Sequence, residues 1–328
     1  MTPDDARWDK MQSELGASFL QSALWGGFQA SIGHKPHYLS GPGWSCLLLE
    51  RRAAVGSYLF APYGPTINDV AALTSALTEI KSFSAAQNAD WVRLEPVISS
   101  AAAECHRTLR QAGGLPAPRD VEPHLTRIVD LSRPAEDILA SLSQTTRNLI
   151  RRNQREKTLV FKTSHDPADI PVFTKMLDTV ASRKGVGFYP ASYYLKQAQD
   201  LMPAGMMVLE MATLNGRPAG TAIIHDYHKT STYTYAASDP KFRDKNVSAL
   251  LLWQALINAK QRGSTAMDLY GIAPDDAPAS HPWAGFSSFK KKFGGEVIEH
   301  AGTWDFPLTR RYRIYLSALK IKKMMRRG

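Results

Sequence analysis

The stretch from Met267 to Trp304 concentrates the residue types that could build a reactive site. Met267-Asp268-Leu269-Tyr270-Gly271-Ile272 is a short apolar run ending in an acid and a glycine. A loop follows, then Phe289-Lys290-Lys291-Lys292-Phe293-Gly294-Gly295-Glu296 and Gly302-Thr303-Trp304-Asp305. A strand that ends at Asp268 and Gly271, next to an aromatic-lysine-glycine segment opening onto another strand, is a site-building arrangement. At ~100° per helical residue, Lys290, Lys291 and Lys292 cannot all face one ligand. Glu95 sits at a strand end before Pro96, where an acid in a cleft can be raised towards a useful pKa. It is the candidate proton acceptor, or else an exposed loop acid. Arg147 and Arg151, four apart, share a helix face and could fork onto phosphate oxygens; Arg155 extends that face, which could equally be solvated. Tyr63, Tyr194 and Tyr233 could offer hydroxyls to a sugar or peptide, or fill the core. No zinc-ligand spacing and no Ser-His-Asp arrangement is apparent. His225 and His228, three apart on an expected strand, should face opposite sides.

The elements that must carry these residues follow from periodicity and punctuation. Apolar residues recur at helical spacing from Ser18 to Phe28, closed by Gly26-Gly27 and Gly33. Strands are expected at 45–51 and 53–60, joined at Arg51-Arg52. Asn68-Asp69 should cap a helix running to Gln87. A strand at 91–94, a helix at 101–112 and a strand at 124–131 close the first unit. Pro134 opens a helix continuing to Lys157, with Glu136 and Asp137 in its first turn. A strand (158–164), helices near 168–183 and 190–202, and strands 206–213 and 217–228 follow. The last two meet at Asn215-Gly216, a strong hairpin signal. Strand 231–237, helix 247–262 and strand 266–270 complete the pattern.

At 328 residues the chain is long enough for two domains, each burying its own core. Cys46 and Cys105 cannot build a disulfide framework, which suggests a reducing, cytosolic setting. No apolar run approaches the ~20 residues of a membrane span, and the acidic Thr2-Pro3-Asp4-Asp5 start is unlike a signal peptide. The net charge of +10 is unevenly placed: one cluster runs from Arg147 to Lys162, one is Lys290 to Lys292, and one spans Arg310 to Arg327. Three such fields favour an anionic partner: nucleic acid, anionic lipid or a pyrophosphate-bearing substrate.

Several ordered segments resemble the FemABX family, tRNA-dependent aminoacyltransferases of peptidoglycan precursors. They are Leu20-Gln21-Ser22 with Trp25, Tyr58 to Pro65 with its Gly64-Pro65 turn, Trp91-Val92-Arg93-Leu94-Glu95-Pro96, and His124 to Ser132. The arginine-rich helix, Tyr233 to Ser238, Ala259 to Gly263 and the Met267 to Trp304 stretch complete the set, which spans nearly the whole chain. Where members carry an N-terminal lysine this chain offers Gln29, with Lys35 beyond it. The coiled-coil arm of some members is not apparent.

The resemblance implies an α/β (α+β) fold of two tandem acetyltransferase-like (GNAT) domains with a basic C-terminal helix. The domains would be 1–133 and 134–305, with 306–328 packing back on the first domain. It also implies attack by an amine on the ester carbonyl of an aminoacyl-tRNA. That donor is already activated, so no metal or other cofactor is expected; what helps is a proton acceptor, donors for the oxyanion and positioning. Lys290, with Phe289 beside it as a second catalytic residue, would stabilise the tRNA's terminal phosphate or the oxyanion, and Gly271 would contact the substrate. Glu95, or a substrate phosphate, would take the amine's proton. Arg147, Arg151 and Arg155, with Tyr63, Tyr194 and Tyr233, would hold the acceptor, lipid II or UDP-MurNAc-pentapeptide, in the cleft between the domains. Lys291, Lys292, Lys322 and Lys323 would meet the tRNA. A monomer is expected, cytoplasmic and in peripheral contact with anionic lipid at the inner face of the plasma membrane.

Three rival functions remain. An acetyl-CoA-dependent N-acyltransferase would wrap pyrophosphate in a glycine-rich loop before a helix. Here that place reads Arg243-Asp244-Lys245-Asn246-Val247-Ser248-Ala249, with larger residues at both glycine positions. A non-catalytic RNA- or membrane-binding protein would explain the charge but not the Phe289 to Gly295 segment. A tRNA-dependent enzyme acting on a small molecule or a protein N-terminus is the third.

Overall fold

A computed structural model describes residues 5–97, 102–184 and 187–325. The chain divides into two compact units: Met1–His124 with Glu299–Gly328, and Leu125–Ile298.

The first unit opens with α1 (Asp5–Glu14) and α2 (Ala23–Ser31), separated by a 3-10 turn at Phe19–Gln21. The expected single helix is broken here because the Ser22 hydroxyl accepts from the Trp25 N–H at 3.0 Å and starts a new helix. Gly26-Gly27 therefore lies inside α2 rather than closing it. There follow β1 (Pro36–Gly41), β2 (Trp44–Arg52), β3 (Ser57–Ala61), β4 (Thr66–Ile67), α3 (Val70–Ala86), β5 (Trp91–Leu94), α4 (Ala102–Gln111) and β6 (Leu115–Pro116). Asp69 caps α3 by accepting from Ala72 N, and Leu73, Ala76, Leu77 and Ile80 form its buried stripe as the spacing predicts, whereas Ala71, expected on the same face, is exposed and Ala72 is buried instead.

The second unit contains β7 (Leu125–Asp130), α5 (Ala135–Ser141), α6 (Gln144–Glu156), β8 (Val160–Ser164), α7 (Ile170–Lys184), α8 (Ala191–Leu201), β9 (Met207–Leu214), β10 (Arg217–Tyr227), β11 (Thr230–Ser238), α9 (Val247–Gln261), β12 (Ala266–Gly271), α10 (Ala284–Lys291) and β13 (Glu296–Glu299). Its sheet runs β13-β7-β12-β11-β10-β9-β8. The chain then returns to the first unit with β14 (Trp304–Pro307) and α11 (Arg311–Met325), completing a sheet ordered β1-β2-β3-β5-β14-β6 with β4 beside β2.

Two expected boundaries move. The strand at 124–131 does not close the first unit: β7 pairs with β12 in the second sheet, Val129 opposite Met267. Residues 304–305, expected in the second domain, belong to β14, which pairs with β5 of the first sheet. The expected helix 134–157 is likewise two helices, α5 and α6, because Leu142 is extended and the Ser143 hydroxyl accepts from Thr146 N to start the second.

α11 is tied into the first unit by a buried charge pair. Arg93 on β5 grips Asp305 on β14 with two parallel bonds, Nε to Oδ1 and Nη2 to Oδ2, both 2.7 Å. Tyr312 on α11 donates its hydroxyl to Asp305 Oδ2 at 2.9 Å, and Tyr315 stacks on Trp91 at 4.7 Å. In the second unit, α9 buries Leu250, Leu251, Leu252, Ala255, Leu256 and Ala259 in a core shared with β7, β9, β10 and β12.

Candidate functional site

The second sheet leaves the end of β12 unpaired on its β11 side. β11 and β12 run parallel, and their pairing stops at Thr232 opposite Asp268, although β11 continues to Ser238 along β10. On its other side, β12 loses register with β7 between Asp268 and Gly271. The irregularity is a bulge, a local break that re-aims side chains and frees backbone groups. Tyr270 sits in it with φ 65°, a left-handed conformation that a bulky residue adopts at a cost. The Asp268 carboxylate holds the bulge together, accepting from Tyr270 N at 2.7 Å and from the Thr126 hydroxyl.

Into this opening comes α10. Lys290 donates from Nζ to the freed Gly271 carbonyl at 2.7 Å. Burial pulls its ammonium down from the usual lysine range to about 8, against the nearby Asp268 carboxylate, which holds it up. Burial conversely pushes the Asp268 carboxyl up, against the Thr126 hydroxyl, the Tyr270 N–H and the Lys290 charge. A half-buried ammonium at a loosened strand end can donate to negative charge brought there. Phe289 packs on Phe293, ring centres 5.5 Å apart, and fixes α10 against the core. Lys291 and Lys292 point to solvent, Lys291 reaching Asp275 at 3.7 Å.

Gly294 and Gly295, with φ 69° and 77°, turn the chain from α10 into β13. A Cβ on Gly295 would stand 2.4 Å from the Ile128 carbonyl oxygen. We expect Gly295→Ala to lose about 2–4 kcal/mol in denaturant unfolding, from left-handed strain and backbone clash together. Gly294→Ala, whose Cβ would meet the Ser141 carbonyl at 3.3 Å, should lose about half as much. Equal, negligible losses would mean that the turn adapts.

The other candidates are dispersed. Glu95 belongs to the first unit and is buried; its Oε1 accepts from Val121 N, Glu122 N and the Thr303 hydroxyl at 3.1, 2.9 and 2.6 Å, and its Oε2 from Tyr63 N at 3.4 Å. It clasps three loops, and burial, with Glu122 second, pushes its carboxyl up to about 8 against those donors. The Tyr63 hydroxyl is spent on Pro123 O at 2.7 Å. Gln29, at the family's lysine position, is buried and accepts from Arg51 Nη2 at 2.8 Å. Arg147 turns back to the Ala140 and Leu142 carbonyls at the end of α5. Arg151 and Arg155 are exposed one and two turns further along α6. Tyr194 and Tyr233 are core residues; Tyr194 packs between Phe173 and Tyr235, and burial pushes its phenol up to about 12.

His225 is buried with Nδ1 2.6 Å from the Thr234 hydroxyl oxygen, whereas His228 lies past the end of β10 in the hairpin turn, so the two do not share a strand as expected. On α11, Ile314, Ile321, Met324 and Met325 are exposed beside Lys320 and Lys322. The side chain of Lys323, and Arg326 and Arg327, lie outside the described residues.

Among the described residues no helix is long and apolar enough to cross a membrane, and no group of three or more His, Cys, Asp or Glu is placed to hold a metal. Sequence reading named Asp268 but missed Thr126, Tyr270 and Arg127. The available signal was the strand at 124–131, whose polar residues had no assigned partner.

The two sheets with their interleaved helices define a mixed α/β fold like that of tandem acetyltransferase-like (GNAT) proteins. Its fold is similar to a tandem GNAT protein from the clavulanic acid biosynthesis pathway, with TM-score 0.50, 11% identity, and 81% of this chain and 80% of that one covered. It is far more similar to FemX: TM-score 0.83, 15% identity, 96% of this chain and 98% of the other. L-PGS from Bacillus licheniformis also matches, with TM-score 0.60, 15% identity, and 100% and 98% covered. At these identities the likeness is one of fold. In sequence, residues 217–320 match the FemAB family model, a span that contains the open end of β12, Lys290 and the glycine pair. No curated protein matches the chain. Family match and FemX-like fold together support the FemABX resemblance carried by the motifs.

Proposed function

We propose that this chain is an aminoacyltransferase that moves an amino acid from aminoacyl-tRNA to the stem-peptide amine of a peptidoglycan precursor, lipid II or UDP-MurNAc-pentapeptide. The observation that carries the reading is the Lys290 ammonium, held at the open end of β12 inside the FemAB-matching segment of a FemX-like fold. The acceptor amine attacks the ester carbonyl to form the C–N bond, and negative charge collects on the carbonyl oxygen. The ester C–O bond breaks, and the proton the amine loses passes, by way of a substrate phosphate, to the departing ribose oxygen. Lys290 supplies a charged donor for the carbonyl oxygen or for the tRNA's terminal phosphate, in surroundings drier than water. Glu95 is held too firmly by its donors to swing towards a substrate, so its part in the reaction is to keep its loops in place. Arg151 and Arg155 meet phosphate, with Lys291, Lys292 and Lys322 along the tRNA. The protein works as a cytoplasmic monomer, and the exposed apolar and basic residues of α11 touch anionic lipid when the acceptor is lipid-linked.

The test is transfer of radiolabel from a pool of charged tRNAs to purified UDP-MurNAc-pentapeptide and to lipid II, with acetyl-CoA assayed in parallel. Label on either precursor is the expected result and names the amino acid. Transfer from acetyl-CoA alone would overturn the reading and leave an N-acyltransferase whose phosphate loop lacks glycine.

A further inference from the structure

Beside the Lys290 site, the second unit contains a hollow of about 160 Å³, lined by Arg127 of β7, the Ile272 to Ala277 loop and the Ala284, Ser287, Ser288 and Lys291 side of α10. Arg127 is 8% exposed. Its Nη1 donates to the carbonyls of Gly294 and Gly295, at 3.1 and 2.8 Å. Those bonds fix the plane of the guanidinium and use only one corner of it. The Nε is buried with no partner, and Nη2 makes no hydrogen bond or ion pair among the described residues. A buried charged donor without an acceptor is unfavourable.

The geometry points to an oxyanion subsite: the Nε–Nη2 edge of Arg127 receives a carboxylate or a phosphate side-on, as two parallel N–H···O bonds. Two further features favour an anion. The ionisable lining is Arg127, Lys291 and Asp275, two cations to one acid. Ser288, exposed on the rim and with no side-chain hydrogen bond among the described residues, offers a hydroxyl there. Asp275, an exposed acid of the same lining, opposes an anion there and is partly offset by Lys291 at 3.7 Å. The inference stands on the hollow and the arginine alone. Under the proposed function, the tRNA's 3′ phosphodiester and a peptide's terminal carboxylate are the two sources of such a group.

The test titrates the full-length protein with N-acetyl-alanyl-alanine, with its C-terminal amide, and with dimethyl phosphate, following the Arg127 Nε–Hε NMR resonance. We expect a saturable shift with an oxyanion and none with the amide. Saturation by the peptide acid identifies a carboxylate site, and saturation by dimethyl phosphate a phosphodiester site. Arg127→Lys keeps the charge but not the fork and should weaken binding at least ~10-fold, read by calorimetry. Should that variant fail to fold, Ser288→Trp, at an exposed rim position, fills the hollow and should abolish binding without touching the buried arginine. No shift with either anion at tens of millimolar, or binding unaltered in Ser288→Trp, overturns the subsite whether or not the protein transfers amino acids.

Discussion

Lys290→Ala is expected to lower aminoacyl transfer about 10²–10³-fold in kcat, with little change in KM for the acceptor. That is the range seen when one preorganised donor to a developing oxyanion is removed. The same side chain predicts a pH dependence. Burial brings its ammonium down to about 8, so it is charged below that pH and neutral above it. Transfer should therefore fall as pH rises through about 8, well before an exposed lysine would titrate. Lys290→Arg keeps its charge throughout and should remove this alkaline break while retaining part of the rate. A profile flat to pH 10 in the parent chain, or an alkaline break that persists in the arginine variant, would assign the charge to another group. Because the Glu95 carboxyl is also pushed up to about 8, the arginine variant is the control that separates them.

Asp305→Ala should destabilise the first unit by about 3–5 kcal/mol, a large share of the ~5–15 kcal/mol that keeps a domain folded. The carboxylate is fully buried and accepts three bonds: two from Arg93 and one from the Tyr312 hydroxyl. Removing it strands the Arg93 guanidinium, almost as deeply buried, without its counter-charge. The double variant Arg93→Met/Asp305→Leu removes both charges and should recover most of the loss, since well-packed apolar residues can replace a buried pair. Urea unfolding followed by tryptophan fluorescence reads both, because Trp91 and Trp304 lie on the paired strands β5 and β14. If the single variant loses under about 1 kcal/mol, or the double loses as much as the single, the pair is not what fastens α11 and β14 to the sheet.

Neither result could be foreseen to the same degree from sequence. The Asp69 cap, the Asn215-Gly216 hairpin and the buried stripe of α3 were legible because each depends on residues a few positions apart. The breaks at Ser22 and Ser143 depended on a serine choosing to cap a helix, which runs of compatible apolar spacing conceal. Strand 125–130 was legible as a strand but not as a member of the second sheet. Its alternating pattern fits any sheet edge, and its partner β12 lies more than a hundred residues on. The same limit applies to Arg93 and Asp305: each is an ordinary charged residue until a ladder between distant strands buries them face to face.

At the site the division is sharper. Residue types drew attention to the Asp268–Gly271 strand end and the lysine-glycine segment, but a lysine run equally suits a solvated helix face, and it was the family resemblance that singled out Lys290. That segment lies within the FemAB-matching span. Tertiary structure decided what those residues do. The pairing of β11 with β12 ends at Asp268, which frees the Gly271 carbonyl for Lys290. The Gly294-Gly295 carbonyls turn back onto Arg127, one of 40 basic residues and one that no local spacing marks. Spacing along a chain determines which side chains can share a face; burial and the choice of hydrogen-bond partner belong to whatever distant strand or turn the fold brings against that face.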